Sequence, residues 1–307
     1  MADGLLLGIE GGATRSTGVL VDGSMRVLAE QVGGATNVHA VGPDRARDAT
    51  REILDGLLAR ADVGRPAVSA AAFCMAGLRT DADRSVWRGI LDEIGAPPKA
   101  MLTHDAAAGL AAGSEDRTGI LVVCGTGSLV YARRADGAER FIGGRGPVVG
   151  DEGSGFDIAR RGLRAAARAA DGRAPATLLQ RLLPERLGLA GLEELPRWAD
   201  PAAKDRIASA APIVFDAADA GDEVAAGILR AAAAELVGAI ELAARALWPP
   251  GCEAGPRRVV LSGGVLCSRR SFREEISSVL ATSVPSAECL LAPVSGAVGA
   301  ARIAHRT

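Results

Sequence analysis

The sequence predicts an α/β protein built from two related domains that face each other across a cleft. Three observations predict this. Residues 4–23, GLLLGIEGGATRSTGVLVDG, and residues 119–137, GILVVCGTGSLVYARRADG, share one pattern. Each runs from an apolar strand through a Gly/Thr-rich turn to a second strand and an Asp-Gly turn signal. Each copy is followed by a third short strand, RVLAEQV (26–32) or ERFIGG (139–144). The length of 307 residues also suits two domains of roughly 150 residues each.

The elements follow in order. LLLGIE (5–10), STGVLVD (16–22) and RVLAEQV (26–32) read as strands, and GGATN (33–37) opens a loop. DRARDATREILDGLLARA (44–61) carries apolar residues at helical spacing. AVSAAAFCMAG (67–77) is a buried strand, 81–94 is helical, KAMLTHD (99–105) is a strand ending on Asp105, and 106–113 is a short helix. After the second copy of the repeat, helices are expected over 154–170, 175–188, 203–219 and 222–247, with WPPG (248–251) stopping the last. RRVVLSGGV (257–265) is a strand ending in a double glycine. A helix over about 270–280, a strand at 288–293 and a small-residue helix at 295–304 complete the chain.

Composition narrows the function. Hydrophobic residues make up 48% of the chain, enough for a sizeable core. With 35 Lys and Arg against 37 Asp and Glu, the net charge of -2 offers no basic field for nucleic acid or an anionic membrane. Cys74, Cys124, Cys252, Cys267 and Cys289 form no CxxC pair. They read as small buried thiols in a reducing compartment, not as a disulfide framework or a zinc site. Three histidines are too few and too scattered for a histidine metal site. The N-terminus lacks a signal pattern, and no uncharged stretch reaches the roughly 18 residues of a membrane helix. A soluble cytoplasmic protein is expected.

GIEGGATRSTGVL (8–20) raises the question of which phosphate loop it is. A P-loop needs a lysine after a glycine, and the two lysines here, Lys99 and Lys204, do not follow one. A Rossmann fingerprint needs GxGxxG entering a helix, whereas a strand follows here. What fits is a pair of β-hairpins, GGAT (11–14) and GTGS (125–128), whose tight turns aim backbone N–H groups at a polyphosphate from two sides.

Together with these hairpins, GGATNVHAVG (33–42), LTHDAAAGLAAG (102–113), GGRGPVVGDEGSGFDIARRGLRAA (143–166), VVLSGGV (259–265) and PVSGAVGAA (293–301) resemble the N-acetylglucosamine kinase group. That group lies in the BadF/BadG/BcrA/BcrD ATPase family of the actin-like, sugar-kinase and Hsp70 ATPases. The resemblance runs from residue 5 to about 302. It implies two ribonuclease-H-like lobes around an ATP cleft. The first would be 1–117. The second would be 118–307 with helical additions, its last helix (about 295–307) packing back on the first lobe. It also implies transfer of the γ-phosphate of ATP to the 6-hydroxyl of N-acetylglucosamine or a close hexosamine.

Residue roles follow from the same resemblance. Asp105 is expected as the general base, and a carboxylate at a strand end can take the hydroxyl proton; the same Asp also suits a helix cap. Gly11, Gly12, Thr14, Gly125, Thr126, Gly127 and Ser128 are expected around the phosphates, with Gly263 and Gly264 near the adenosine. Arg15 either adds charge there or is simply exposed. Glu10 is expected to face Mg²⁺, directly or through water. Asn37, Asp105, Gly144, Arg145, Asp151 and Glu152 are expected at the sugar, Glu152 alternatively serving as a first-turn helix acid. A homodimer is implied by resemblance only.

Two residues depart from the pattern. Glu10 stands where many relatives have Asp, and Arg145 where many N-acetylglucosamine kinases have an aromatic residue. Glucosamine kinases of the same family share that arginine, so a glucosamine kinase is the alternative. An ATPase activator of radical enzymes would need paired cysteines for a shared iron–sulfur cluster. A sugar-sensing regulator would be expected to carry a DNA-binding extension, for which a strand beginning at residue 5 leaves no room.

Overall fold

The computed structural model describes residues 4–305 apart from 98, 200–203, 250–255 and 257. The chain divides into two compact units, Met1–Gly119 with Ala292–Thr307, and Ile120–Leu291.

The first unit opens with the meander β1 (Leu5–Gly11), β2 (Ser16–Val21) and β3 (Val27–Gly33), paired antiparallel in sequence. A short α1 (Val38–Val41) and α2 (Pro43–Arg60) lead to β4 (Val68–Met75). Then come α3 (Asp81–Glu93), held at its start by a Thr80/Asp83 capping box, β5 (Ala100–His104) and α4 (Asp105–Gly113). β4 pairs parallel with β1 and β5 parallel with β4, so the sheet order is β3-β2-β1-β4-β5. Strand alternation sends Leu7 and Ile9 to one face and Leu6, Gly8 and Glu10 to the other. On the first face they pack with Phe73, Ile53, Leu57 and Trp87.

The second unit repeats the plan. β6 (Gly119–Cys124), β7 (Ser128–Arg133) and β8 (Glu139–Gly143) form the meander. A helical excursion follows: α5 (Gly155–Ala170), α6 (Leu179–Leu187), α7 (Leu195–Trp198), α8 (Lys204–Ala208), α9 (Ala211–Asp219) and α10 (Glu223–Leu247). β9 (Arg258–Ser262), α11 (Gly264–Ser268), α12 (Arg270–Ser283) and β10 (Glu288–Leu291) close it. The sheet order β10-β9-β6-β7-β8 is the first sheet's order read from the other edge, with β9 parallel to β6 and β10 parallel to β9. The two meanders of the sequence repeat therefore occupy equivalent places in two sheets.

α13 (Gly296–His305) belongs to the first unit and packs against α4 and β1. Small residues allow it. A side chain at Gly8 would strike the α13 backbone at Ala297 and Ala301, and one at Gly299 would strike Ala108 in α4.

Some elements differ from the sequence reading. The helix expected over 203–219 is two helices, because Pro212 in the first turn of α9 has no N–H to continue α8. The double glycine at 263–264 starts the short helix α11. α7 and a 3₁₀ turn fill a stretch with no expected element. Residue 203, Pro250 and Gly251 of the expected helix stop, Arg257 and Cys252 lie outside the described residues. Cys74 and Cys124 are buried, but Cys267 is exposed at the end of α11, so the reading of uniformly buried thiols does not hold there. Among the described residues no helix is long and apolar enough to cross a membrane.

Candidate active site

In the first unit, two helix starts converge on the C-terminal end of β1. Glu10 projects onto the face covered by α4 and α13, opposite Cys74 in the β1–β4 register. The carboxylate lies against Gly296, the first residue of α13. Asp105 is the first residue of α4. Burial pushes the Glu10 carboxyl up to about 7, the Asp105 charge pushes it further the same way, and Arg15 opposes both. Burial also raises Asp105, opposed by His104, backbone N–H groups and Arg79. The cap of α4 is His104, whose Nδ1 accepts from Ala107 N–H at 3.1 Å. Asp105 Oδ1 accepts from Ala106 N–H at 2.9 Å.

The first turn is tightly knit. Gly12 N–H donates to Ser16 Oγ at 3.2 Å, and Ser16 Oγ lies 2.9 Å from Thr36 Oγ1. Gly12 C=O accepts from Thr36 and Asn37 N–H, joining the turn to the GGATN loop. A side chain at Gly11 would collide with Thr36 and Met75, which is why the position is glycine. Thr14 and Arg15 are exposed at the tip. Asn37 caps α1, its Oδ1 accepting from His39 N–H at 2.9 Å, and packs over Gly77. His39 Nε2 lies 2.9 Å from Asp83 Oδ1. Backbone N–H groups of Arg79 and Thr80 hold Asp83 down to about 2. Asn37, His39 and Asp83 thus tie the loop to the start of α3.

In the second unit the GTGS turn rests on the GDEGSG segment (150–155). Gly125 and Thr126 carbonyls accept from Gly155 and Phe156 N–H at 2.8 and 3.2 Å. Cys124 Sγ donates to the Gly153 carbonyl at 3.3 Å. Ser128 is buried, and its hydroxyl donates to the Glu152 carbonyl at 2.7 Å. Asp151 sits in the left-handed region, φ 59°, unusual for a residue other than glycine. Its carboxylate is turned inward. Oδ1 takes Ser128 N–H at 3.5 Å, and Oδ2 takes Lys204 Nζ at 2.8 Å. Glu152 is exposed and precedes α5; the acid in the first turn of that helix is Asp157, so Glu152 does not serve there.

Two cavities flank this turn. One of about 410 Å³ is lined by Gly125, Thr126, Phe215, Gly264, Val265 and Arg269, among others. The Arg269 guanidinium lies 4.8 Å over the Phe215 ring. Gly263, at φ 95°, brings the SGG turn onto the backbone of Cys124. The other cavity, about 420 Å³, lies between β7, β8 and α10 and gathers Arg145 and Glu152 with Ser128. Gly144 lies just beyond the end of β8.

The structure thus brings together Glu10 with Asp105 in the first unit. In the second it gathers Gly125, Thr126 and Gly264, and separately Arg145 with Glu152. It adds residues that the sequence reading passed over: Gly296, Lys204, Phe215 and Arg269. PVSGAVGAA pointed to the segment that holds Gly296. Nothing local marked the other three, which come from the helical excursion and from the loop after α11.

A sequence profile of the BadF/BadG/BcrA/BcrD ATPase family matches residues 7–304. The N-acetyl-D-glucosamine kinase of Dictyostelium discoideum is 29% identical over 316 aligned positions, covering 99% of this chain and 98% of the relative. The N-acetylmuramic acid/N-acetylglucosamine kinase of Clostridium acetobutylicum is also 29% identical and covers 98% of each chain. A crystal structure of a candidate N-acetylglucosamine kinase from Chromobacterium violaceum matches with a TM-score of 0.75 at 25% identity, over 98% of this chain and 99% of the other.

Proposed function

The chain belongs to the BadF/BadG/BcrA/BcrD ATPase family, and on that premise we propose that it is an ATP-dependent amino-sugar kinase. It transfers the γ-phosphate of ATP to the 6-hydroxyl of N-acetylglucosamine or a close hexosamine. The relatives matched over almost their whole length act on such sugars. The observation that carries the reading is the placement of Asp105 at the start of α4 beside Glu10, with both carboxyls raised by burial.

Asp105 is the general base. It accepts the hydroxyl proton as the sugar oxygen bonds to the γ-phosphorus and the bond to the β-phosphate oxygen breaks, leaving ADP. Raising a carboxyl toward working pH makes it a better proton acceptor while it stays largely ionised. The 410 Å³ cavity takes the adenosine, with Phe215, Arg269 and Gly264 on its wall, and Gly263 lets the SGG turn approach the Cys124 backbone. Thr14 and Thr126 donate to phosphate oxygens, and Arg15 adds charge. Arg145 and Glu152, which line the 420 Å³ cavity, are assigned to the sugar, as is Asn37; Asp151, expected at the sugar too, has its carboxylate on Ser128 N–H and Lys204 Nζ.

The donor set at Glu10 fits a divalent cation. Glu10 offers a buried carboxylate oxygen, and the Asp105 charge beside it adds to the negative potential there. Among the described residues there is no cluster of three or more protein ligands, which suits Mg²⁺ held mainly by phosphates and waters. When bound through Glu10, that ion would neutralise phosphate charge.

The test is ATP-coupled turnover measured across glucosamine, N-acetylglucosamine, N-acetylmannosamine, N-acetylmuramate and glucose. Phosphorylation of an amino sugar well above glucose is expected; no phosphorylation of any of them removes the reading.

A further inference from the structure

Lys204 is one of only two lysines in the chain, and α8 carries it to the GTGS turn. Its Nζ donates to Asp151 Oδ2 at 2.8 Å, and a side-chain carbon added to Gly127 would stand 3.0 Å from that nitrogen. The partner carboxylate is 5% exposed, yet the lysine side chain is 34% exposed. An ammonium has three donors. One is fixed on a buried acid, and the ammonium lies beside a glycine that has no side chain to cover it. The next residue, Asp205, lines the 410 Å³ cavity together with Gly125 and Thr126. Lys204 therefore stands where that cavity meets the phosphate turn.

We propose that Lys204 is a phosphate ligand of the nucleotide, held in place by Asp151. The chain has no lysine in either glycine turn, and α8 brings one there through space. Asp151 acts as the anchor: its left-handed backbone turns the carboxylate inward, where it takes Ser128 N–H and the ammonium together. The class of ligand is a nucleoside di- or triphosphate, and the inference rests on the reading of the chain as a user of ATP.

The chain's lysine content supplies the test. Wild-type protein is treated with a limiting amine-acylating reagent, and modification at Lys204 and at the exposed Lys99 is read by peptide mass spectrometry. MgATP should slow acylation of Lys204 about tenfold or more, in line with a charge-assisted hydrogen bond. Adenosine should not slow it, and Lys99 should react equally throughout. In calorimetry Lys204→Met should weaken ATP about tenfold, with adenosine unchanged and Lys204→Arg retaining most of the affinity. Equal acylation of Lys204 with and without ATP overturns the inference. So does a Lys204→Met protein that loses ATP and adenosine equally, or neither. Failure of the wild-type chain to bind ATP at all would instead overturn the kinase reading.

Discussion

Gly296 and Glu10 lie so close that a side-chain carbon at position 296 would overlap the Glu10 carboxylate. The glycine opens α13, so the carboxylate sits at a helix start, where the backbone dipole favours negative charge. Replacing it tests whether the position of that carboxylate matters. Gly296→Ala should lower kcat about tenfold or more with little change in melting temperature, because the overlapping atoms end a flexible side chain and can move. The double variant with Glu10→Gln should be no worse than Glu10→Gln alone, as expected for residues acting through one contact. Glu10→Gln itself should impair Mg²⁺-dependent turnover far more than Cys124→Ala. Equal effects would remove the metal role from Glu10.

The raised carboxyl at Glu10 also predicts a pH dependence of stability. Its proton is held up to about 7 in the folded protein against an ordinary value of 4.5. Between these values the folded state binds more protons than the unfolded state, so stability falls as pH rises across that window. Chemical denaturation of the nucleotide-free protein should show this fall, and Glu10→Gln should flatten it. A wild-type profile with no slope in the window would argue against a buried carboxyl there.

Asp105→Asn keeps the shape and the contact with Ala106 N–H but cannot accept the hydroxyl proton. Turnover should fall by about 10²–10⁴ while ATP affinity stays within about twofold, since a lost base need not alter ground-state binding. Unchanged ATP consumption with an amino sugar would mean that Asp105 is only the first residue of a helix.

Gly263 tests the SGG turn, whose next residue, Gly264, lines the nucleotide cavity. Gly263 holds φ 95°, and a side-chain carbon there would stand 2.8 Å from Cys124 N. Gly263→Ala should cost about 1–3 kcal/mol from backbone strain alone and weaken ATP binding, read by thermal melting with and without nucleotide. A variant of unchanged stability and affinity would show that the SGG turn can relax.

Much of the fold was legible because hairpin chemistry is local. Asp22-Gly23 and the glycine turns lie beside the strands they connect, so each meander could be read from about twenty consecutive residues. Asp105 was legible for the same reason, at a junction of strand and helix. The helical excursion was less so. Its helix faces are set by packing around β6 and β9, and Pro212 divided what helical periodicity ran together. The inward turn of Asp151 and the use of the Ser128 hydroxyl on a backbone carbonyl left no mark in residue spacing.

The sequence alone determined the two meanders, the absence of a lysine from both glycine turns, and the acid at the end of β5. Those features depend on neighbours within a few residues. Only the tertiary structure decided that Gly296 reaches Glu10, that Arg269 covers Phe215, and that Lys204 reaches the GTGS turn through Asp151. Each joins residues far apart in the chain, so the contact depends on how the helices pack and leaves no mark in residue spacing.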